Sequence, residues 1–302
     1  MKKTGVAVIG YGKVGRACGE LLLSSHDLAL AGIIRRQESL AQSLPDVFHG
    51  IPVASHLNEI REVQCALLCV PSDVTEGMAH DILQGGIPIV ECAMLHGQAF
   101  HAHKDAIHRA ATRHKVPAIV GAGWDPGAVS LFRSLLAMLI PNGHTHTSHR
   151  SGKNLHHTLT VESVPGVQNA LCTEQRTPEG RLQRYIYVEI EPGADQDRVI
   201  EAIRADPLFL QDETLVFPVD TVKALEEQGQ GLMLERRGRV GQIGHQHLLM
   251  EARGDVAALT AEVMLSAARA LPTLQAGAYS LHDIPLANLW GAQPHQAENE
   301  WI

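Results

Sequence analysis

Three glycines near the N-terminus have the spacing of a phosphate-binding turn. Gly10, Gly12 and Gly15 stand in the sequence G-Y-G-K-V-G, directly after the apolar run Val6 to Ile9 and before a helical pattern. The first glycine permits a tight turn, the second lets the backbone approach a pyrophosphate, and the third lets the helix pack closely on the strand. The pattern predicts dinucleotide binding, with a strand-to-helix turn that binds no ligand as the alternative. The expected contact residues are Gly10, Tyr11, Gly12, Lys13, Val14 and Gly15.

Two arginines indicate which dinucleotide would bind. Arg35 and Arg36 follow the apolar run Leu28 to Ile34, where an NAD-binding protein usually carries an acidic residue for the ribose hydroxyls. Arginine at that place accommodates the 2′-phosphate of NADP, so NADP is the predicted cofactor, although a solvated strand end would also explain the pair. A further part of the cofactor site is expected where the apolar run 63–70 ends, because ligands bind outside the carboxyl ends of parallel strands. Its residues are Cys69, Val70, Pro71 and Ser72.

One carboxylate is placed where a substrate could meet the cofactor. The sequence G-A-G-W-D-P-G at 121–127 follows a short apolar strand and precedes the apolar helix predicted over 129–139. Asp125 could simply cap that helix, with Pro126 in its first turn. The functional interpretation instead places the carboxylate of Asp125 and the indole of Trp124 at the carboxyl edge of the sheet, close to a nicotinamide ring. From these residues alone both interpretations stay open.

These residues need a parallel sheet to bring the strand ends together. Strand-like and helix-like segments alternate through the N-terminal part of the chain, which predicts an α/β fold with a doubly wound parallel sheet of the Rossmann type. Beyond it, an alternating strand pattern at 184–191, a helical pattern at 195–205 and further short strands predict an α+β layer.

Composition narrows the possible partners. The chain has 302 residues, of which 45% are hydrophobic and 19% charged, so it can bury a substantial core and is expected to form two domains. A formal net charge of −8 argues against general attraction to nucleic acid or anionic membranes. Five cysteines and 18 histidines occur without an H-E-x-x-H or C-x-x-C motif, so we expect no metal site. A strand at the N-terminus and the lack of a long apolar run favour a cytoplasmic location.

Several motifs together resemble one enzyme family. G-Y-G-K-V-G-R, R-R, C-V-P-S, A-G-W-D-P-G and V-P-G-V at 164–167 are similar to the meso-diaminopimelate dehydrogenases, and the similarity covers nearly the whole chain. The A-G-W-D-P-G motif is much more specific than the glycine loop. The resemblance implies reversible, NADP-dependent deamination of the D-centre of a diamino dicarboxylic acid. Asp125 would then hold the substrate amine, and Trp124 would form a wall of the pocket.

The same resemblance implies how the chain is divided. It predicts a dinucleotide-binding domain over residues 1–122, a substrate-binding and dimerisation domain with a mixed sheet over 123–254, and a segment over 255–302 that returns to the first domain. A homodimer that acts on a small-molecule amino acid is therefore expected.

The substrate contacts depart from the family pattern. The family places a second carboxylate near the amine, where this chain has Met94, and a hydroxyl residue near the distal carboxylate, where it has Glu174. Arg184 matches the arginine that binds the distal carboxylate, although a place on an exposed strand face would also explain it. The family asparagine falls at Asp255 or Val256. Because Glu174 would repel an anionic group, a substrate with a neutral or cationic far end is as plausible as diaminopimelate. The substrate-binding candidates are Met94, Gly152, His157, Glu174, Arg184 and, after a one-residue shift, His245.

Other functions stay open beside an amino-acid dehydrogenase. The carboxylate lost at Met94 would suit a non-catalytic NADP-binding sensor, although the retained Asp125 argues against it. An opine-type or imine reductase would share the chemistry of the pocket. Sugar dehydrogenases with a related glycine loop are disfavoured, because they carry a catalytic lysine in an E-K-P turn, whereas Glu91 is followed here by Cys92 and Ala93.

Overall fold

The chain forms two compact units. The computed structural model describes residues 3–150, 160–176, 182–210, 213–222 and 230–290. One unit comprises Met1–Met138 with Val256–Ile302, and the other comprises Leu139–Asp255. The division falls after Met138, later than the predicted boundary after residue 122, because Leu131 of the intervening helix packs against the core of the first unit. Which unit binds which ligand stays a prediction.

Strands and helices alternate in the first unit, and strands dominate the second. In chain order the described strands are β1 (Thr4–Ile9), β2 (Leu28–Ile34), β3 (Val53–Ala54), β4 (Cys65–Leu68), β5 (Ile89–Glu91), β6 (Pro117–Ile119), β7 (Asn142–Arg150), β8 (Val167–Arg176), β9 (Leu182–Ile190), β10 (Glu213–Pro218), β11 (Gln230–Val240), β12 (Ile243–Gly254) and β13 (Gly277–Tyr279). The main α-helices are α1 (Lys13–Ser24), α2 (Ser72–Gln84), α3 (Gly97–His114), α4 (Val129–Leu139), α5 (Gln196–Ala205) and α6 (Val256–Ala270). In the described ranges, no helix has both the length and the apolar character needed to cross a membrane.

A seven-stranded sheet forms the centre of the first unit. Its strands lie in the order β13-β6-β5-β4-β1-β2-β3, and every neighbouring pair is parallel. The chain runs outward from β1 to β2 and β3 and then returns to β4 on the other side of β1. In open α/β sheets the ligand crevice lies at such a reversal, outside the carboxyl ends of the strands. The predicted Rossmann-type sheet is confirmed.

Helices cover both faces of this sheet. Val6 and Val8 of β1 are buried in a core that includes residues of α1 and α6, whereas Ala7 and Ile9 are buried in a second core with residues of α2 and α3. Successive strand residues point to opposite faces, so a strand that is covered on both sides must be apolar at every position. This explains why the parallel strands form continuous apolar runs in the sequence.

The predicted bounds agree best for the long elements. β2 and α4 span the residues expected, whereas β4 covers Cys65–Leu68 rather than the predicted 63–70. Before β4, two hydrogen bonds join Gln64 to Gly5: the side chain of Gln64 accepts from the backbone N–H of Gly5 at 2.9 Å, and the backbone N–H of Gln64 donates to the carbonyl oxygen of Gly5 at 2.8 Å. After β4, Pro71 has no backbone N–H to donate to a neighbouring strand.

The second unit contains two three-stranded sheets. In the first, β8 and β9 are antiparallel while β9 and β10 are parallel, so this sheet is mixed. Its core includes Ile186 and Val188 of β9 with Val199 and Ile203 of α5. The helix α5 begins where the carboxylate of Asp195 accepts hydrogen bonds from two backbone N–H groups of its first turn. The predicted α+β layer is confirmed.

The second sheet of this unit is antiparallel, in the order β12-β11-β7. Neither β7 nor β8 was predicted from the sequence. The segment of β7 reads N-G-H-T-H-T-S-H-R, which has almost no apolar residues to indicate a strand. Its pairing over its full length with β11 therefore decides its structure.

Candidate functional site

The glycine loop has the geometry that a dinucleotide needs. Gly10 has a φ of +92°, a conformation that favours glycine. A Cβ atom on Gly15 would lie only 2.0 Å from the carbonyl oxygen of Gly10, so the close contact between α1 and β1 requires glycine there. By contrast, nothing lies within 4 Å of the Cβ position of Gly12. The three glycines thus provide a turn, an open approach and a tight helix contact, and α1 begins directly afterwards at Lys13.

The end of β2 presents one of the predicted arginines beside the glycine loop. The guanidinium carbon of Arg35 lies 5.4 Å from the centre of the Tyr11 ring, and Nη1 donates to the carbonyl oxygen of Gln42 at 2.9 Å. The Tyr11 ring packs edge-on against Phe48, and burial raises the pKa of its hydroxyl. Arg35 also lines a cavity of about 280 Å³, and Arg36 is exposed next to it. The binding of an anionic group by these two arginines stays a prediction.

The end of β4 closes against the same loop. A Cβ atom on Gly10 would lie 2.5 Å from the carbonyl oxygen of Cys69 and 3.0 Å from Val70, which places both residues directly beside the first glycine. Pro71 precedes α2, and the hydroxyl of Ser72 at its start accepts a hydrogen bond from the backbone N–H of Met94 at 3.1 Å. The fold thus brings the glycine loop and the predicted segment 69–72 together. Met94 is 72% exposed, so an apolar surface lies where the resemblance to the family implies a carboxylate.

Two helices hold the turn that carries Asp125. The turn spans Trp124–Ala128, and Gly123 rather than Asp125 occupies its N-cap position. The backbone N–H of Trp124 donates to the Thr260 hydroxyl of α6 at 3.2 Å, while its indole packs edge-on against Phe132 of α4. Asp125 itself has an extended backbone, with φ −135° and ψ 117°. This extended conformation is also the one that an N-cap residue adopts, so the backbone is compatible with both interpretations of Asp125.

The carboxylate of Asp125 forms a two-point ion pair that sequence patterns did not reveal. Both oxygens accept hydrogen bonds from Arg133 of α4, at 2.8 and 3.0 Å. The side chains are 10% exposed for Asp125 and 28% exposed for Arg133, so water screens the pair only partly. The one available signal was the presence of a single charged residue in the otherwise apolar or hydroxyl-bearing α4, V-S-L-F-R-S-L-L-A-M-L.

A second carboxylate, Glu91, is fully buried behind the site. Its oxygens accept hydrogen bonds from the backbone N–H of Ala93 at 2.5 Å and of Gly121 at 2.7 Å. His103 of α3 approaches one of these oxygens with Nε2 at 3.3 Å, and this hydrogen bond is the main cause that raises the pKa of His103. Glu91 therefore joins the ends of β5 and β6. It does not take the place of the carboxylate lost at Met94.

The second unit holds the remaining candidates. Arg184 is only 3% exposed, so the alternative of an exposed strand face is wrong. Its guanidinium lies 5.2 Å from the centre of the Phe209 ring and donates to the carbonyl oxygen of Leu208 at 3.2 Å. His245 has a φ of +60°, unusual for a residue with a side chain, and lines a cavity of about 670 Å³ with Arg237. Gly152, His157 and the side chain of Glu174 lie outside the described residues.

Comparisons with known proteins agree with the fold. Residues 4–92 match a family model described as "Oxidoreductase family, NAD-binding Rossmann fold". The match ends at Cys92, directly after β5. At the position of Cys92, the E-K-P turn of the sugar dehydrogenases carries lysine. The match therefore covers the cofactor-binding part of the sheet and leaves the segment with Asp125 outside.

Solved structures of similar fold include diaminopimelate and D-amino-acid dehydrogenases. The dehydrogenase of Corynebacterium glutamicum in complex with DAP superposes with a TM-score of 0.66 at 23% identity, and all of both chains is covered. An engineered D-amino acid dehydrogenase bound to NADP+ gives a TM-score of 0.64 at 22% identity, again over both whole chains. At these identities the likeness shows the fold.

Curated relatives extend the likeness to the level of a family. A meso-diaminopimelate D-dehydrogenase of Bacteroides fragilis is 34% identical over 302 residues, which cover 100% of this chain and 99% of the relative. A protein with the same description from Acetivibrio thermocellus is 25% identical, over 99% of this chain and 96% of its own. With a full-length relative at this level of identity, the chain belongs to the meso-diaminopimelate D-dehydrogenase family of oxidoreductases.

Proposed function

We propose that this protein is an NADP-dependent dehydrogenase that reversibly deaminates meso-diaminopimelate or another D-amino acid. The observation that carries the proposal is the position of Asp125. The family motif that contains it follows β6, at the carboxyl edge of the same sheet that presents the open glycine loop. The full-length identity to meso-diaminopimelate D-dehydrogenases supports the same conclusion.

The residues of the first unit fit NADP. The backbone around Gly12 would hold the pyrophosphate at the start of α1, because the site is open there and helix N-termini bind anions. Arg35 and Arg36 would bind the 2′-phosphate, and the residues 69–72 would lie along the cofactor. When bound, NADP supplies the acceptor for the hydride that leaves the α-carbon of the substrate.

The turn at Asp125 would orient the amine of the substrate. Its carboxylate can accept an N–H from the amine while Arg133 and the backbone turn fix its direction. Trp124 is held by Thr260 and Phe132, so it would form a fixed wall that limits where the α-carbon can lie. Water then adds to the carbon of the resulting imine, and the keto acid and ammonia are released.

A different set of residues would recognise the far end of the substrate. Arg184 and His245 are the described residues that match the family contacts for it. Burial of Arg184 below Phe209 gives it a fixed guanidinium, which suits recognition of a carboxylate. Glu174 would oppose an anionic group, so we propose that D-amino acids with neutral or cationic side chains are used as well as diaminopimelate.

A substrate panel tests this function. The purified protein would be mixed with NADP and one candidate substrate, and NADPH formation would be followed. The candidates are meso-diaminopimelate, a set of neutral, cationic and anionic D-amino acids, and the L-enantiomers of that set. We expect NADPH with at least one D-centred substrate and none with the L-amino acids. Tight NADPH binding without turnover on any substrate would instead support the sensor. NADPH consumption only with a keto acid plus a second amine would support the opine-type or imine reductase.

The assembly and the location are part of the same proposal. A homodimer is inferred from the resemblance to the family, and sedimentation equilibrium at several protein concentrations would test it. A monomer at micromolar concentration would contradict it. A cytoplasmic location fits the five free cysteines, Cys18, Cys65, Cys69, Cys92 and Cys172, since disulfides are rare in that compartment.

A further inference from the structure

The ion pair between Asp125 and Arg133 bears on the protonation state of the substrate. We propose that Arg133 is a positioning residue that makes the site select the neutral amine over the ammonium form, an inference that rests on the proposed dehydrogenase function. The two hydrogen bonds at 2.8 and 3.0 Å place the guanidinium charge directly on the carboxylate that would meet the amine.

The chemistry of the reaction explains why this selection matters. Hydride leaves the α-carbon as a new C=N bond forms, and that bond uses the lone pair of the amine nitrogen. An ammonium group has no lone pair, so it must lose its proton before the hydride can leave. Amino acids in neutral water carry mainly ammonium. A site that binds the ammonium form tightly would therefore hold an unreactive substrate.

Charge decides which form the site prefers. A carboxylate without a neighbouring positive charge would attract the ammonium group and favour the charged form of the substrate amine. Asp125 with Arg133 is a pair of zero net charge, so an ammonium group that approaches the carboxylate also meets a guanidinium a few ångströms away. A neutral amine avoids that repulsion and can still donate an N–H to a carboxylate oxygen. A nearby like charge disfavours the charged form of an amine and so lowers its pKa.

Charged groups on the described elements next to the turn have partners of their own. Behind Gly121, Glu91 contacts His103. In the segment after β13, Asp283 pairs with Lys104. His282 of the same segment contacts the hydroxyl of Ser134, the neighbour of Arg133 on α4, at 2.7 Å. His282 and His103 are thus the groups on neighbouring elements whose own titration must be separated from that of the amine.

The test is the pH dependence of kcat, which reports ionisations within the enzyme–substrate complex. Arg133→Met removes the charge and keeps a side chain of similar length, and Arg133→Lys keeps the charge and loses the two-point contact. The acid limb of the profile is the fall of kcat as pH decreases. In Arg133→Met we expect this limb to move to higher pH by about one unit, so that kcat is about tenfold lower at neutral pH. KM should be unchanged or lower. Arg133→Lys should keep most of the wild-type pH profile.

Controls separate this role from a structural one. Arg113→Met removes an exposed arginine of α3 and should leave the profile unchanged. His282→Gln should retain the acid limb of the kcat profile, which would exclude His282 as the source of that limb. His103→Gln tests His103 in the same way. NADPH affinity and the melting temperature would be measured for every variant. If Arg133→Met does not fold, Arg133→Gln provides a second neutral side chain that can still donate to Asp125.

Two results would overturn the inference, and they differ in what else they imply. An active wild-type enzyme whose acid limb stays in place in both neutral variants would show that Arg133 only supports the fold. A wild-type protein that binds NADPH and oxidises no amino acid of the panel would overturn the proposed function together with this inference.

Discussion

At the scale of single residues, Asp125 is the group on which the chemistry depends most. Its carboxylate is largely buried, its backbone is extended within a turn, and both oxygens are engaged by Arg133. Such a group is oriented before the substrate arrives, so no binding energy is spent on fixing it. Residues around it contribute through contacts with the backbone of the turn.

Replacement of this carboxylate should impair catalysis and not the binding of the cofactor. We expect Asp125→Ala to lower kcat/KM at least tenfold, because a charge-assisted hydrogen bond contributes about 1.5–3 kcal/mol. Fluorescence titration with NADPH should give a wild-type Kd. Full activity in Asp125→Ala would exclude the proposed role.

Cofactor preference is also decided by individual side chains. Arg35 is held by Gln42 and Tyr11, and Arg36 is exposed beside it. If each contributes about 1.5–3 kcal/mol to the 2′-phosphate, kcat/KM with NADP should exceed that with NAD by about a hundredfold or more. We expect each single alanine variant to lose about tenfold of that preference, with Arg61→Ala as an exposed arginine control. Equal efficiency of the wild-type enzyme with both cofactors would rule out this assignment.

At the scale of secondary-structure elements, strand ends position the site. Glu91 is completely buried and accepts hydrogen bonds from backbone N–H groups after β5 and after β6. The residues that follow these strands lead to Met94 and to Asp125, so one side chain fixes the spacing of two loops. His103 reaches Glu91 from α3, and a more distant carboxylate, Glu76 of α2, lies 3.9 Å from its other ring nitrogen.

Stability should depend on pH through this contact. The hydrogen bond to Glu91 raises the pKa of His103 above its ordinary value of 6.5. The contribution of His103 is therefore fully present below about pH 6.5 and is lost as pH rises through the higher folded value. We expect the difference in free energy of unfolding between wild type and His103→Gln, from urea titrations, to be largest near pH 6 and to shrink at alkaline pH. A constant difference from about pH 6 to pH 9 would contradict this account.

At the scale of the molecule, the first unit is assembled from two distant parts of the chain. The C-terminal strand β13 pairs with β6, and α6 contributes Met264 and Leu265 to the core that also contains residues of β1 and α1. An ion pair strengthens this closure, because Arg269 of α6 contacts Asp27 at the start of β2 at 2.9 Å. The second unit is inserted between these parts as residues 139–255.

Loss of this ion pair should destabilise the protein in a pH-dependent manner. Burial disfavours ionisation of Asp27, but hydrogen bonds from Arg269 and Ser25 outweigh it and lower the pKa from 3.8 to about 2. The stabilisation is thus present above about pH 4 and is lost as pH falls through 2. We expect Arg269→Met to cost about 1–2 kcal/mol at pH 7, and less towards pH 2.5. Arg109→Met, an exposed arginine of α3, should cost little at either pH. An effect of Arg269→Met that does not change with pH would indicate lost packing alone.

The sequence by itself determined the elements whose patterns are local. The glycine loop, the extent of β2 and α4, the parallel sheet and the family motif at Asp125 all follow from short-range periodicity or from adjacent residues. Burial on both faces makes each central strand an apolar run, and a helix on a sheet repeats its apolar residues with a fixed period. Such constraints act within a few residues, so they can be predicted without the fold.

Only the tertiary structure decided which side chains meet across the chain. Arg133 binds Asp125 from the following helix, Glu91 joins two strand ends, and Arg184 is buried against Phe209 of the turn after α5. The strand β7 forms from a polar, histidine-rich segment because β11 pairs with it. In each case the deciding contact joins residues that no local period relates, and the energy of burial and hydrogen bonding exists only once packing has brought them together.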